Sequence, residues 1–384
     1  VAALDGLRGV AILWVLLHQL VVVPAGSTLD RVLLWPANFG WVGVTLFFVL
    51  SGYLITGVLL DTRNSPRRVS SFYTRRALRI IPLYFALLAT VFGVSWFVGG
   101  AWQVEELTTM QAASFWLLLG NWSQAAAGSF LVGPLAVTWS VAIEEQFYLV
   151  WPWLVWALKP RTLGRLCVAV VFGVLVARVL TQLNGANPVM LYASTWTRLD
   201  ALAIGSLASV AVRSGFDIAA WRSTLWRVLL IAGVAAAGLD LFGTLNRETG
   251  LYFCPTPSLG VGITVGAIAA GALLLLVSDP AVAPRLSQRL ESRWLRSFGL
   301  YSYGIYLTHG PVRALIRDHL FGPGLEGTTP LVELPLIAGS IVPALVAYAA
   351  FCVPVCWLVG LLSYQLIERP CLRLKSRFPA GTSS

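Results

Sequence analysis

Basic clusters fall in every second gap between ten apolar stretches, and that alternation constrains the fold of this chain more than any other feature. The stretches lie at about 7–24, 40–60, 78–99, 140–158, 164–182, 196–213, 224–242, 259–277, 298–316 and 337–362. Each is close to the 20 or so apolar residues that a helical membrane span requires. Arg63, Arg67, Arg68, Arg75, Arg76 and Arg79 follow the second stretch. Lys159, Arg161 and Arg165 follow the fourth, and Arg213, Arg222 and Arg227 the sixth. Arg285, Arg289, Arg293 and Arg296 follow the eighth, and Arg369, Arg373, Lys375 and Arg377 the tenth. These clusters hold 20 of the 27 Lys and Arg residues. The opposite gaps carry scattered Arg31, Arg247 and Arg317 among the acids Asp30, Glu105, Glu106, Glu248, Asp318, Glu326 and Glu333. Cytoplasmic loops carry the excess of Lys and Arg. The reading is therefore an all-α, polytopic membrane helix bundle of about ten transmembrane helices with both termini cytoplasmic.

Composition agrees. Of 384 residues 57% are hydrophobic and 11% charged, too little charge to cover the surface of a soluble domain of this size. The net charge of +10 then reports topology. No stretch resembles a nucleic-acid-binding motif, so no nucleic-acid partner is expected; the partners expected from composition are membrane lipids. The expected organisation is one membrane domain, 1–370, followed by a cytoplasmic tail, 371–384, whose last residues, 378–384, read as disordered. The first apolar run continues past His18 through Val23 and reads as a retained helix rather than a leader. The longest outer segment, 100–138, contains a short apolar piece at Phe115–Leu119, too short to span and read as re-entrant or interfacial. The five cysteines and three histidines show no metal-ligand spacing, and no metal is expected. Cys352 and Cys356 share a face of the last helix and read as small buried hydrophobes.

Ionisable groups at membrane depth are costly, so each is a candidate for function. His18 lies ten residues, about 15 Å of helix, beyond Arg8 and hence near the middle of the hydrocarbon. It is either a general base or nucleophile, or a packing histidine bonded to a neighbour. Ser302, Tyr306, His309 and Arg313 form one polar stripe on the ninth span, facing a cavity or another helix. Glu144 and Glu145 open the fourth span, where the helix dipole favours carboxylates and Ser140 is a candidate cap. Arg198 and Asp200 begin the sixth span and read as an interfacial pair. Arg76 and Arg79, three apart, share a face suited to phosphate oxygens, although inner-surface anchoring accounts for them equally well.

Six segments occur in order: LDGLRGVAILWVLLH at 4–18, FFVLSGYLI at 47–55, FYTRRALRIIPLY at 72–84, TWSVAIEEQFYLVWP at 138–152, RLDALAIG at 198–205 and YSYGIYLTHGPV at 301–312. Together they resemble the acyltransferase-3 family of integral membrane O-acyltransferases. The resemblance implies an acyltransferase of the bacterial plasma membrane. Its donor would be cytoplasmic acyl-CoA, with acetyl-CoA first in line, and its acceptor a hydroxyl of a cell-surface glycan, glycolipid or secondary metabolite. By family pattern His18, preferred as the general base, Glu144 or Glu145, and His309 are the catalytic candidates, and Arg8, Arg76 and Arg79 the donor-binding ones. One departure stands out. The family places ten residues between the first-span Arg and His, whereas nine separate Arg8 from His18 and Gln19 takes the expected place. One residue turns a helix by about 100°, which puts a direct coupling of Arg8 and His18 in question. The rival reading is a secondary transporter or flippase. The lack of an evident inverted repeat counts against it.

Overall fold

The computed structural model describes residues 2–20, 28–98, 101–246, 250–251, 254–255, 257–321, 337 and 339–377. Arg247, Glu248, Glu326, Glu333 and the tail 378–384, on which the charge pattern and the disorder reading partly rest, lie outside them, as do the side chains of Arg317 and Asp318. The architecture is helical, with a two-residue antiparallel pairing of Gly250–Leu251 with Cys254–Pro255. In chain order the helices are α1 Ala2–Leu20, α2 Thr28–Asn38, α3 Val42–Asp61, α4 Arg68–Val98, α5 Thr109–Trp116, α6 Gly120–Ala127, α7 Thr138–Ala157, α8 Pro160–Leu183 and α9 Pro188–Ala193. There follow α10 Leu199–Arg213, α11 Arg222–Asn246, α12 Ile263–Ser278, α13 Pro284–Leu290, α14 Arg293–Leu300, α15 Ser302–Phe321, α16 Val342–Ser363 and α17 Arg369–Arg373.

Among the described residues seven helices are long and apolar enough to cross a membrane: α1, α2 run together with α3, α4, α8, α11, α12 with the turn before it, and α16 with its extension. The remaining expected spans are occupied by α7, α10 and α15. Helix boundaries follow local chemistry. Pro160 and Pro188 sit at first-turn positions, where a missing N–H costs nothing. Gly185 and Gly215, both at positive φ, end α8 and α10. The apolar piece at Phe115–Leu119 is a break between α5 and α6 that carries Leu118 at positive φ and buries Phe115 completely.

Three contacts gather the basic clusters at one end of the bundle. Arg213 at the end of α10 makes two 2.7 Å bonds to Asp61 at the end of α3. Arg63 donates to the Trp156 carbonyl at the end of α7, beside Lys159, at 3.0 Å. Arg222, Arg285 and Arg289 line a common surface pocket.

Helices α1, α3 and α12 form the centre, while α8 and α11 lie outside. Close approach at the centre depends on missing side chains, as expected where no hydrophobic force drives helices together within lipid. A Cβ at Gly205 of α10 would collide with the Val49 carbonyl of α3, and one at Gly52 of α3 with the Leu202 carbonyl of α10. Gly205→Val is therefore expected to destabilise the protein by about 3 kcal/mol. Gly173 on α8 meets nothing within 4 Å, and Gly173→Val should leave the unfolding midpoint in detergent nearly unchanged.

Candidate active site

A cavity opens among α1, α3, α4, α7 and α15. Its polar lining is Arg8 from α1, Ser51 from α3, Arg76 and Arg79 from α4, Ser140, Glu144 and Tyr148 from α7, and Ser302, Tyr303 and Tyr306 from α15. Four of the residues singled out in the sequence, Arg8, Arg76, Arg79 and Glu144, thus meet around one space. Glu144 accepts from the Tyr148 hydroxyl at 3.0 Å, and the Tyr148 oxygen is also hydrogen-bonded to Ser51 Oγ. The Arg76 guanidinium lies 5.2 Å over the Tyr148 ring. Arg8 is 3.7 Å from Asp5, one turn earlier on its own helix.

The expected role of Ser140 and the two glutamates is revised. Helix α7 begins at Thr138, so Glu144 and Glu145 stand well inside it rather than in a first turn. Ser140 caps nothing; its hydroxyl bonds the Val137 carbonyl at 3.1 Å and the Tyr306 hydroxyl at 2.6 Å. Glu145 turns away from the cavity lining, and its buried Oε1 accepts no hydrogen bond among the described residues.

The two candidate histidines, His18 and His309, sit outside this lining. His309 follows Tyr306 by three residues on α15, their rings 5.8 Å apart. Its Nδ1 lies 2.7 Å from the Tyr306 carbonyl. A carbonyl only accepts, so Nδ1 carries a proton, and in the neutral form of the ring Nε2 is then the lone-pair nitrogen. That Nε2 is buried and has no hydrogen-bond partner among the described residues. His18 faces the backbone of Ala37 and Asn38 and packs on Gly40. The residue after it, Gln19, receives Arg313 Nη1 through its backbone carbonyl at 3.0 Å. Arg8 and His18 accordingly face different surroundings, as the nine-residue spacing suggested.

Arg76 and Arg79 also border a second space, a basic vestibule. The two arginines line both spaces, and Arg68, Arg75 and Lys375 complete the vestibule's charge. Burial, reinforced by Arg79, Arg76 and Arg75, pushes the Lys375 ammonium down to about 8, against the pull of Glu368. In the sequence Lys375 counts only toward the tail's basic cluster, because nothing local connects the segment after α17 with α4.

The pairing expected of Arg198 and Asp200 is replaced by two separate arrangements. Asp200 bonds Arg178 of α8, both fully buried, and also accepts from Thr264 at 2.6 Å and from the Ala201 amide at 3.0 Å. Arg198 is held among the rings of Phe48, Trp139 and Tyr192 at 5.4, 5.4 and 5.0 Å, and donates to Thr45 at 3.3 Å.

Comparison with known proteins places this chain in a family. The chain is 30% identical to the peptidoglycan O-acetyltransferase OatA of Listeria monocytogenes over 96% of its own length and 55% of the relative's. It is 29% identical to the putative peptidoglycan O-acetyltransferase YrhL of Bacillus subtilis, covering 96% and 54%. It is 24% identical to the O-acetyltransferase OatA of Staphylococcus aureus, covering 96% and 56%. The chain thus spans about half the length of these relatives. No solved structure shows a significant match. The family model described as an acyltransferase domain, Acyl_transf_3, matches residues 1–361, nearly the whole chain, and the protein belongs to that family.

Proposed function

We propose that the protein transfers an acyl group, acetyl in the first instance, from cytoplasmic acyl-CoA to a hydroxyl of a cell-surface glycan. The observation that carries this reading is the pair of spaces sharing Arg76 and Arg79: a vestibule lined by Arg68, Arg75 and Lys375, and an inner cavity with Arg8, Ser51 and Glu144. Guanidinium groups suit phosphate oxygens, so the vestibule takes the nucleotide phosphates of the donor. The pantetheine arm passes between Arg76 and Arg79 and brings the thioester into the inner cavity. Arg8 stabilises the oxyanion that develops on the acyl carbon. His309, with its Nε2 lone pair, is the general base for an acceptor hydroxyl arriving from the opposite side. The names of the Listeria and Bacillus relatives, which specify peptidoglycan O-acetylation, support acetyl as the acyl group and a glycan as the acceptor. The domain is read as 1–370, with the tail from 371 supplying Lys375, in the plasma membrane of a bacterium.

The test is transfer of radiolabelled acetyl from acetyl-CoA in inside-out membrane vesicles that contain the protein. CoA-dependent label in a glycan fraction supports the reading. Transport of a polar substrate that does not depend on acyl-CoA, with no transfer from acetyl- or longer acyl-CoA, would replace it with the transporter reading.

A pH dependence follows from Lys375. The ammonium is charged below about pH 8 and neutral above it, and a bound polyanion favours the charged form. Donor affinity is therefore expected to fall by about threefold to tenfold as pH rises through 8. Titration of CoA binding between about pH 6.5 and 9.5, a window that brackets the Lys375 transition, checks this. Lys375→Arg should flatten the profile.

A further inference from the structure

We infer that Ser51 is an acyl-accepting nucleophile and that transfer proceeds through an acyl-Ser51 ester. This rests on the acyl-CoA reading above. The direction of the hydrogen bonds carries it. The Tyr148 hydroxyl gives its one proton to Glu144 Oε2 at 3.0 Å. A hydroxyl has a single proton, so toward Ser51 the Tyr148 oxygen accepts, and Ser51 Oγ is the donor in the bond between them. The Ser51 oxygen thus sends its proton into a chain that ends on a carboxylate, while its lone pairs remain on the cavity side. A hydroxyl is a weak nucleophile until a neighbouring base takes its proton, and a nucleophile held by a base that is itself oriented by a third group is the general arrangement for covalent catalysis. The Arg76 guanidinium over the Tyr148 ring favours negative charge on that ring while the proton passes. Tyr148 and Glu144 are positioning and relay residues. A plain fastener between α3 and α7 would have no need of the carboxylate or of a place on the cavity lining.

The steps balance. Ser51 Oγ attacks the thioester carbon, the Oγ–C bond forms and the C–S bond breaks. The Ser51 proton passes to Tyr148 as the Tyr148 proton passes to Glu144, and the departing CoA thiolate takes the proton from Glu144. After CoA leaves, an acceptor hydroxyl attacks the ester. His309 takes the acceptor's proton as the acceptor O–C bond forms and the Ser51 Oγ–C bond breaks, and that proton then passes to the Ser51 oxygen, which restores both groups. No oxidant, reductant or metal enters.

The full chain in lipid nanodiscs is mixed with [14C]acetyl-CoA without acceptor, quenched within one turnover, and digested for peptide mass spectrometry. An acetyl group on the peptide containing Ser51 is expected, together with release of about one CoA per labelled chain, by the ping-pong logic of covalent catalysis. Ser51→Ala should lose both the label and the transfer. Ser51→Cys should form a label that neutral hydroxylamine removes far faster than the wild-type ester, a signature that a structural hydroxyl would not produce. Tyr148→Phe should slow labelling by about 10²-fold with the label still on Ser51. Transfer to acceptor in Ser51→Ala, or wild-type turnover with the label on an imidazole or nowhere, overturns the acyl-serine step and leaves the acyl-CoA reading standing. Absence of any CoA release or transfer in the wild type overturns both.

Discussion

Replacing His309 by alanine is expected to lower acyl transfer by about 10²–10⁴-fold while the protein still folds. The size of the effect follows from the chemistry of a positioned general base, which contributes that much when its lone pair faces the reacting proton. The preservation of the fold follows from the bonding. His309 holds its own helix through Nδ1 and the Tyr306 carbonyl at 2.7 Å, while Nε2 is buried with no hydrogen bond among the described residues to lose. A purely structural histidine would show the reverse, with a large fall in unfolding midpoint and activity lost only in proportion to unfolded protein. His309→Gln gives a useful second variant, since its amide retains polarity without a basic nitrogen. The measurement is kcat/KM for acetyl transfer alongside the unfolding midpoint in the same detergent. If His18→Ala abolishes transfer in folded protein and His309→Ala does not, the base is His18 and the assignment to His309 falls.

The largest stability effect is expected at Asp200. Asp200→Ala strips the carboxylate from the fully buried Arg178 guanidinium and also frees Thr264 and the Ala201 amide. Removing one member of a buried ion pair typically costs about 3–5 kcal/mol, because the other charge stays behind without compensation. The second variant separates the pair from its surroundings. In Arg178→Met/Asp200→Leu both charges are gone, and an apolar replacement of similar volume is often neutral or stabilising. The double variant should therefore recover most of the stability lost in Asp200→Ala. Denaturant titration in mild detergent reads both. A double variant as unstable as the single one would mean that Thr264 and the Ala201 amide, rather than the charge, govern the site.

Much of this was legible in the chain before any coordinates. Spacing put Arg76 and Arg79 on one helix face and the family resemblance added Arg8 and Glu144 as candidates, and the structure gathers all four around one cavity. The polar stripe of α15 is also real, but it divides between two depths: Ser302 and Tyr306 line the cavity, and His309 stands beyond them. Periodicity states which residues share a face and leaves open which helix that face meets. Ser51 and Tyr148 were missed for this reason. α3 is apolar on nearly every side, so no single face advertises itself, and a tyrosine in a wide aromatic run does not stand out. Arg178 was missed because one arginine in an apolar span has no visible partner until α8 packs against α10. The supposed Arg198–Asp200 pair failed on helix geometry, since residues two apart point to different sides.

The order in which the helices leave the ribosome bears on when the site can exist. α1 is completed by α14 and α15, which are made long after it; Arg313 reaches Gln19 across 294 positions of chain. The notch at Gly52 on α3 similarly waits for Leu202 on α10. Early helices must therefore remain in the bilayer with polar groups unmet, attended by lipid, insertase or one another, until late partners arrive. A nascent chain halted before α15 would hold its arginines and Glu144 without Tyr306 or His309, and would be inserted yet inert. Biogenesis, more than thermodynamic stability, is then the stage at which this protein is most open to quality control.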